Sequence, residues 1–385
     1  MSWRILLTDF HRVGGGQVEY VLSLADQLRE AGHEPAVAAR ADSRLAAECR
    51  ERRHRVYDAF YFSRGLRPLE LWSDLRRASR LLRSGAVDLV HVNGSQDHWV
   101  FALARRRNRS KIPLIRTRHN TYRIRDNFTN RLLNRSLTTR TITVCEWVKT
   151  HRLIGPGFDG RPIDVIHNGV DLEHFVEVEP DPTVRGEFSL PEDAVLIGVV
   201  ARLVKEKGHR YLVEALGELV EKGRDRLHVL LIGEGTEGAA ILEQAEALGV
   251  SDRLTFTGFR SDVRRLVSAC DLGVLPSIGC DTSSIALKEM MAMRKPVVTT
   301  DHGGLPEIVD DGVNGFVVPA ADGSALAAAI DRFLQDPGLA RRLGVAAREK
   351  VEREFTRQLA FERTLESYRQ ALDAEQPASA LANAH

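Results

Sequence analysis

Four cysteines in 385 residues are too few, and too widely spaced, for a disulfide framework or a zinc ribbon. Cys49, Cys145, Cys270 and Cys280 stand in no ligand-like spacing and suit a reducing compartment. No run approaches the roughly 20 consecutive apolar residues that a membrane-spanning helix needs. The opening residues, Met1 to Asp9, carry no apolar leader and read as a first strand. Repeats of solenoid length are missing as well. Aromatics make up only 6% of the chain, and few stand among its densest cations, which argues against stacking on nucleic-acid bases.

What is present is globular composition, 43% hydrophobic and 28% charged, which excludes disordered and fibrous classes. The length fits two domains of ordinary size. A net charge of +1 hides an asymmetry: residues 1–175 carry 30 Lys and Arg against 19 Asp and Glu, and the rest carry 24 against 34. Twelve cations fall between Phe101 and Arg140 against a single acid, Asp126. That stretch reads either as a solvated helical surface or as a site for an anionic acceptor and acidic membrane lipids.

Short apolar runs alternate with helical patterns. In the first half the runs are Arg4–Thr8, Glu34–Ala39, Val56–Phe60, Val87–Val92, Pro113–Arg118, Thr141–Val144 and Ile163–Ile166. Val18–Ala31, Leu69–Leu82 and Trp99–Arg107 lie between them with helical spacing. The pattern breaks from Phe175 to Asp193, which is acidic and holds Pro180, Pro182 and Pro191. It resumes with Val195–Ala201, Leu227–Ile232, Arg253–Phe256, Leu272–Leu275, Val297–Thr300 and Gly315–Val318. The predicted class is α/β: two doubly wound, Rossmann-like domains, 1–175 and 176–355, facing across a cleft. A helix over 356–372 is expected to cross back to the first domain, and 373–385 to be a disordered tail. Ligands of such sheets sit beyond the carboxyl ends of the strands.

The loops there hold the candidates. Gly14-Gly15-Gly16 follows the first strand and precedes a helix, where glycines permit close approach and free helix N–H groups attract an anion. Gly233-x-Gly235-x-x-Gly238 matches a dinucleotide fingerprint, but Asp252 precedes its strand where a ribose-binding acid should close it, and Glu234 would repel a pyrophosphate. Arg202 leaves the second domain's first strand and Lys207 stands before the next helix; two cations at that pole suit a diphosphate. The segment Asp281-Thr282-Ser283-Ser284-Ile285 opens a helix and has capping chemistry. Glu289, among apolar neighbours, reads as a buried carboxylate that needs donors such as ribose hydroxyls.

The spacing Asp281-x7-Glu289, followed by Ala292-Met293-Arg294-Lys295-Pro296-Val297-Val298, resembles the E-x7-E motif of retaining GT-B glycosyltransferases of the family 4 type. Further matches run in order along the chain. They are Gly14-Gly15-Gly16 with Glu19, Gly32-His33, Val87 to His91, His119, His167 to Asp171, Arg202 with Lys207-Gly208, Gly258-Phe259, and Gly303 to Glu307. The resemblance implies a GT-B fold and transfer of a sugar from a nucleotide-diphosphate sugar, UDP- or GDP-linked, to an acceptor hydroxyl. The route implied is front-face displacement without metal or other cofactor. The acceptor implied is a cell-envelope glycolipid, lipopolysaccharide core or polysaccharide. The expected location is the cytoplasm, with peripheral contact to the inner membrane through Phe101–Arg140, and no nucleic-acid partner.

By resemblance, Glu289 holds the donor ribose, and Arg202 and Lys207 neutralise the departing diphosphate. Gly15 and Gly16 offer N–H groups to the phosphate, and Gly258 and Phe259 touch substrate. Asp281, with the backbone of Thr282, Ser283, Ser284 and Ile285, stands near the transferred sugar, and His119 lines the reaction centre. Aspartate at 281 is one methylene shorter than the family's glutamate, and Ser284 replaces a common glycine. Two rival readings share the architecture: a sugar-nucleotide epimerase and a catalytically silent nucleotide-sugar-binding protein.

Overall fold

The computed structural model describes residues 2–65 and 67–375 and divides the chain into two units. One holds the residues up to His167 together with those from Ala360 onward; the other is Asn168–Leu359.

The first unit is built on a parallel sheet of β1 (Arg4–Thr8), β2 (Glu34–Arg40), β3 (Arg55–Phe60), β4 (Leu89–Val92), β5 (Leu114–Arg118), β6 (Arg140–Thr143) and β7 (Ile163–Val165). Their spatial order is β3-β2-β1-β4-β5-β6-β7. Side chains alternate between the two faces. Ile5 and Leu7 pack with Val21, Leu22 and Leu28 of the helix Gly16–Glu30, while Leu6 packs on the other face with Ala78 and Phe101. Burial of both faces is what makes these strands near-continuous apolar runs, each buried Leu or Ile contributing about 1.5–3 kcal/mol.

The second unit repeats the plan with β8 (Val195–Val200), β9 (Leu227–Ile232), β10 (Leu254–Gly258), β11 (Leu272–Leu275), β12 (Val297–Thr300) and β13 (Phe316–Val318), ordered β10-β9-β8-β11-β12-β13. Ile197 and Val199 face one core and Leu196 the other.

The division falls at His167/Asn168, ahead of the acidic, proline-containing stretch that the sequence marks. Val170 is the reason: its N–H donates to the Phe355 carbonyl (2.8 Å) and its carbonyl accepts from Arg357 N–H (2.9 Å). A Cβ on Gly169 would lie 2.4 Å from the Thr356 carbonyl oxygen, so only glycine permits this approach. The proline stretch instead forms a short helix, Pro182–Glu187, capped by Asp181.

The last helix is Arg357–Glu375. From Ala360 it belongs to the first unit, where Phe361, Tyr368 and Ala371 join the core. It runs past the expected end at 372 because the Glu375 carboxylate accepts from Arg105 and from Thr139 Oγ1 (3.1 Å). The rest of the expected tail, 376–385, lies outside the described residues.

The basic stretch Phe101–Arg140 does not offer all twelve of its cations to solvent. Arg116 is buried, Arg105 pairs with Glu375, Arg131 with Asp126 and Arg140 with Asp164. Strand β5 separates the exposed remainder. Arg106, Arg107, Arg109 and Lys111 precede it; Arg123, Arg125 and Arg135 follow it, the first two near exposed Tyr122 and Phe128. Among the described residues no helix is long and apolar enough to cross a membrane, and all four cysteines are free thiols.

Candidate active site

Each sheet reverses its strand order beside its first strand, between β1 and β4 and between β8 and β11. At such a switch point the following loops diverge and leave a crevice for a ligand.

In the second unit the loops after β8 and β11 are knitted together. The Ile278 and Gly279 N–H groups donate to the Glu206 carbonyl at 2.8 and 3.0 Å. Gly208 takes φ 67°, and a Cβ there would sit 1.9 Å from the Pro276 carbonyl oxygen. Lys207 is thereby brought to Asp281, and its Nζ donates to both carboxylate oxygens, at 2.7 and 2.8 Å. Arg202 is exposed, and no carboxylate pairs with its guanidinium among the described residues.

The glycine-rich loop Gly233–Gly238 supports this turn from beneath. Cβ atoms on Gly233 and Gly235 would lie 2.2 Å from the carbonyl oxygens of Ala201 and Leu203. Leu203 N–H donates to the Glu234 carbonyl, and Glu237 N–H to the Leu203 carbonyl, both at 2.9 Å. The fingerprint-like glycines are therefore explained by backbone packing that fixes the loop carrying Arg202.

The segment 281–285 divides its labour. Ser284 caps the helix Ile285–Ala292 through Leu287 N–H (3.2 Å). Thr282 and Ser283 are buried. Ser283 Oγ accepts from Lys288 Nζ (2.6 Å) and from Asn168 N–H (3.2 Å). Lys288 is fully buried; it also donates to the Asn168 carbonyl (2.8 Å) and lies 4.4 Å from the centre of the Phe355 ring. Sequence reading overlooked this lysine, although a cation inside Leu287–Met293 was the available signal. Glu289, by contrast, is only half-buried, so the buried charge of this helix is Lys288 rather than Glu289. The helix turns residue 289 partly outward while its neighbours Lys288 and Met290 face the core. Gly258 takes φ 70° at the end of β10, its carbonyl accepting from Gly233 N–H (3.0 Å), and Phe259 after it is 62% exposed.

In the first unit Gly15 adopts φ 152°, ψ 171° ahead of a helix that no side chain caps. A Cβ on Gly15 or Gly16 would meet nothing within 4 Å, so the helix start is open. His119, just past β5, is half-buried and packs edge-on against Tyr20. Asn93 Nδ2 donates to the Thr8 carbonyl, which turns its Oδ1 toward His119; that oxygen can only accept, so His119 Nε2 carries the proton (2.9 Å). Burial first, then the Arg116 cation, holds His119 well below the usual histidine range. The imidazole is neutral at physiological pH.

Around it runs a buried polar network that sequence reading missed. The Asp9 carboxylate accepts from His11 N–H (2.6 Å) and from Gln17 Nε2 (2.5 Å), and Gln17 also donates to the Asn93 carbonyl (3.0 Å). Asp97 accepts from the Asn93 and Gly94 N–H groups (3.2 and 3.0 Å), and burial raises its pKa against the pull of Arg116. Among the described residues no cluster of three or more His, Cys, Asp or Glu has metal-binding proximity.

Residues 14–174 match a family model described as Glycosyltransferase Family 4, and residues 181–350 one described as Glycosyl transferases group 1. The N-acetyl-alpha-D-glucosaminyl L-malate synthase of Bacillus anthracis is 27% identical over 92% of this chain and 93% of its own length. The lipopolysaccharide core biosynthesis glycosyltransferase LpsE of Rhizobium meliloti is 31% identical over 51% of this chain and 55% of its own. The chain spans 55% and 39% of the first two curated relatives it matches. Among solved structures, a glycosyltransferase from Rickettsia africae superposes with a TM-score of 0.86 at 25% identity, covering 96% of this chain and 99% of that one. Anabaena Alr3699/HepE in complex with UDP-glucose superposes with a TM-score of 0.78 at 21% identity, over 96% and 100%. The shared architecture is GT-B.

Proposed function

This chain belongs to the group 1/family 4 glycosyltransferases, and from that membership we propose that it moves a sugar from a nucleotide-diphosphate sugar to an acceptor hydroxyl with retention of anomeric configuration. The observation that carries this reading is the braced turn from Arg202 to Lys207 at the β8/β11 switch point, which presents one lysine and a guanidinium that no carboxylate pairs with among the described residues. Lysine has three N–H donors. Asp281 takes two of them and leaves one for a phosphate oxygen.

In the proposed reaction the bond from the anomeric carbon to the diphosphate oxygen breaks. The acceptor oxygen bonds to the same face, and its proton passes to the departing phosphate. Arg202 and Lys207 stabilise the charge that grows on the leaving group, an electrostatic contribution that is largest in the transition state. Asp281 anchors Lys207 and retains lone pairs for a sugar hydroxyl. Glu289, half-buried, is the acceptor of ribose hydroxyls, and neutral His119 is the first-unit residue assigned to the acceptor hydroxyl. No metal is required in this scheme. The four free thiols suit a reducing cytoplasm, where nucleotide sugars would be met. A relative named for lipopolysaccharide core biosynthesis supports an envelope glycan or glycolipid as acceptor.

The test is nucleotide release by the full chain across UDP- and GDP-sugars, with and without lipid extract, followed by NMR of the product anomer. Acceptor-stimulated release with the donor configuration retained is expected. Conversion of the sugar nucleotide without acceptor would establish the epimerase instead, and tight binding without release the silent binder.

A further inference from the structure

Beside the loop that follows β1 lies a cavity of about 630 Å³ that the proposed reaction does not use. Its walls come from the carboxyl ends of three adjacent strands: the loop after β1, Arg40 closing β2, and the loop after β3. Arg12, Arg40, Arg64 and Arg67 line it against a single carboxylate, Glu70. Val13 and Tyr61, both exposed, give it an apolar side.

The four guanidinium groups are not equivalent. Arg40 is committed to Asp42 (3.0 Å) and to the Tyr61 carbonyl. Arg12 reaches Asp42 at 3.1 Å, and Arg67 reaches Glu70 at 3.1 Å. Arg64 pairs with no carboxylate among the described residues; its guanidinium lies 5.3 Å from the centre of the Phe10 ring. Phe10 is itself wedged against the loop after β4, where a Cβ on Gly94 would fall 2.0 Å from the ring. The stacked cation keeps its N–H edge available for a planar or tetrahedral oxyanion. Four guanidinium groups against two carboxylates, Glu70 and Asp42, leave two surplus positive charges, which favour a phosphate monoester, carrying about −1.5 to −2 at neutral pH, over a singly charged carboxylate.

The cavity is also wired to His119. His11, on its wall, bonds Asp9 at 2.8 Å. Asp9 holds Gln17, Gln17 holds the Asn93 carbonyl, and Asn93 Oδ1 accepts from His119. We propose that this cavity is the seat of a phosphate monoester borne by the acceptor, with Arg64 as its principal contact. The inference rests on the transferase reading and names the acceptor's chemical class.

Two carriers share that chemistry, a soluble polyol phosphate and a lipid headgroup. Calorimetry of the full chain with glycerol 3-phosphate tests the first, with glycerol as the uncharged control. Sedimentation with phosphatidylcholine vesicles, with and without phosphatidic acid, tests the second. In whichever arm binds, Arg64→Ala should weaken binding about tenfold, as loss of a charge-assisted hydrogen bond does. Glu70→Gln should tighten it, a gain that misfolding cannot mimic. UDP affinity, measured in parallel, should stay unchanged in both variants. Binding indifferent to Arg64 and Glu70, or no binding of either phosphate probe, overturns the assignment. If UDP binds regardless, the transferase reading survives that failure; if wild-type protein binds no nucleotide, both fall.

Discussion

Lys207 and Asp281 lie 74 residues apart in sequence, yet the lysine ammonium donates to both oxygens of that carboxylate, and both side chains are largely screened from solvent. The cation assigned to the leaving group therefore waits in a preorganised ion pair. Glutamate at 281 would push the carboxylate one methylene farther from its own backbone, so the shorter residue and this short bidentate contact belong together.

Replacing either cation should slow chemistry more than it weakens ground-state binding. Lys207→Ala and Arg202→Ala are each expected to lower kcat by about 10²–10³, the cost of removing one group aimed at developing charge, with smaller changes in KM. Steady-state nucleotide release measures this. Full turnover in both variants would remove the phosphate assignment.

Glycine substitutions separate crowding from conformational strain. Gly208→Ala and Gly235→Ala place a Cβ 1.9 and 2.2 Å from a carbonyl oxygen, so the turn bearing Arg202 and Lys207 must shift. Gly258→Ala meets nothing within 4 Å and pays only for its φ of 70°, about 1–2 kcal/mol. Thermal melts should rank the first two below the third, with turnover following the same order.

Lys288→Met should destabilise the second unit by about 2–3 kcal/mol. It leaves Ser283 Oγ and the Asn168 carbonyl without their charged donor in a buried setting. Urea denaturation reports the loss. Because Ser283 neighbours the sugar-site loop, donor KM should rise as well; an unchanged midpoint would show that the buried ammonium contributes nothing net.

Acid should weaken the first unit through its buried imidazoles. His91 lies between the Tyr368 and Thr117 hydroxyls, each 2.6 Å away, and burial, then Arg116, pulls its pKa down to about 3. His98 is lowered in the same direction by burial. The folded form thus leaves these rings neutral while the unfolded chain takes up protons below about pH 6.5. Since the unfolded state then binds more protons, stability is complete above that pH and is lost as pH falls. At pH 5 His91 alone should cost about 2 kcal/mol. Denaturant midpoints at pH 7.5, 6 and 5 follow this, and His91→Gln should flatten the slope; parallel slopes would refute it.

Much of this plan was legible before any coordinates. Each apolar run from Arg4–Thr8 to Gly315–Val318 falls on a parallel strand, because strands buried on both faces need such runs. That Arg202, Lys207 and Asp281 follow strands was legible too, and those strands, β8 and β11, flank the switch point. Three features were not. The Lys207–Asp281 pair depends on how two distant loops meet, and no local spacing encodes that. Lys288 was masked by apolar neighbours that drew attention to Glu289 instead. The division at His167/Asn168 differs from the expected 175/176 because proline and acid content mark exposed turns, whereas the backbone bonds of Val170 to Phe355 and Arg357 tie residues 168–175 to the second unit.

The way Tyr368 closes on His91 has a bearing on how the chain is made. The amino-terminal unit leaves the ribosome first, but part of its core is supplied by Phe361, Tyr368 and Ala371. It cannot be completed until translation has passed those positions, so the half synthesised earliest is the one finished last. Until then its β1–β4 face lacks the packing of those three side chains, a window in which nascent chains would lean on holding chaperones.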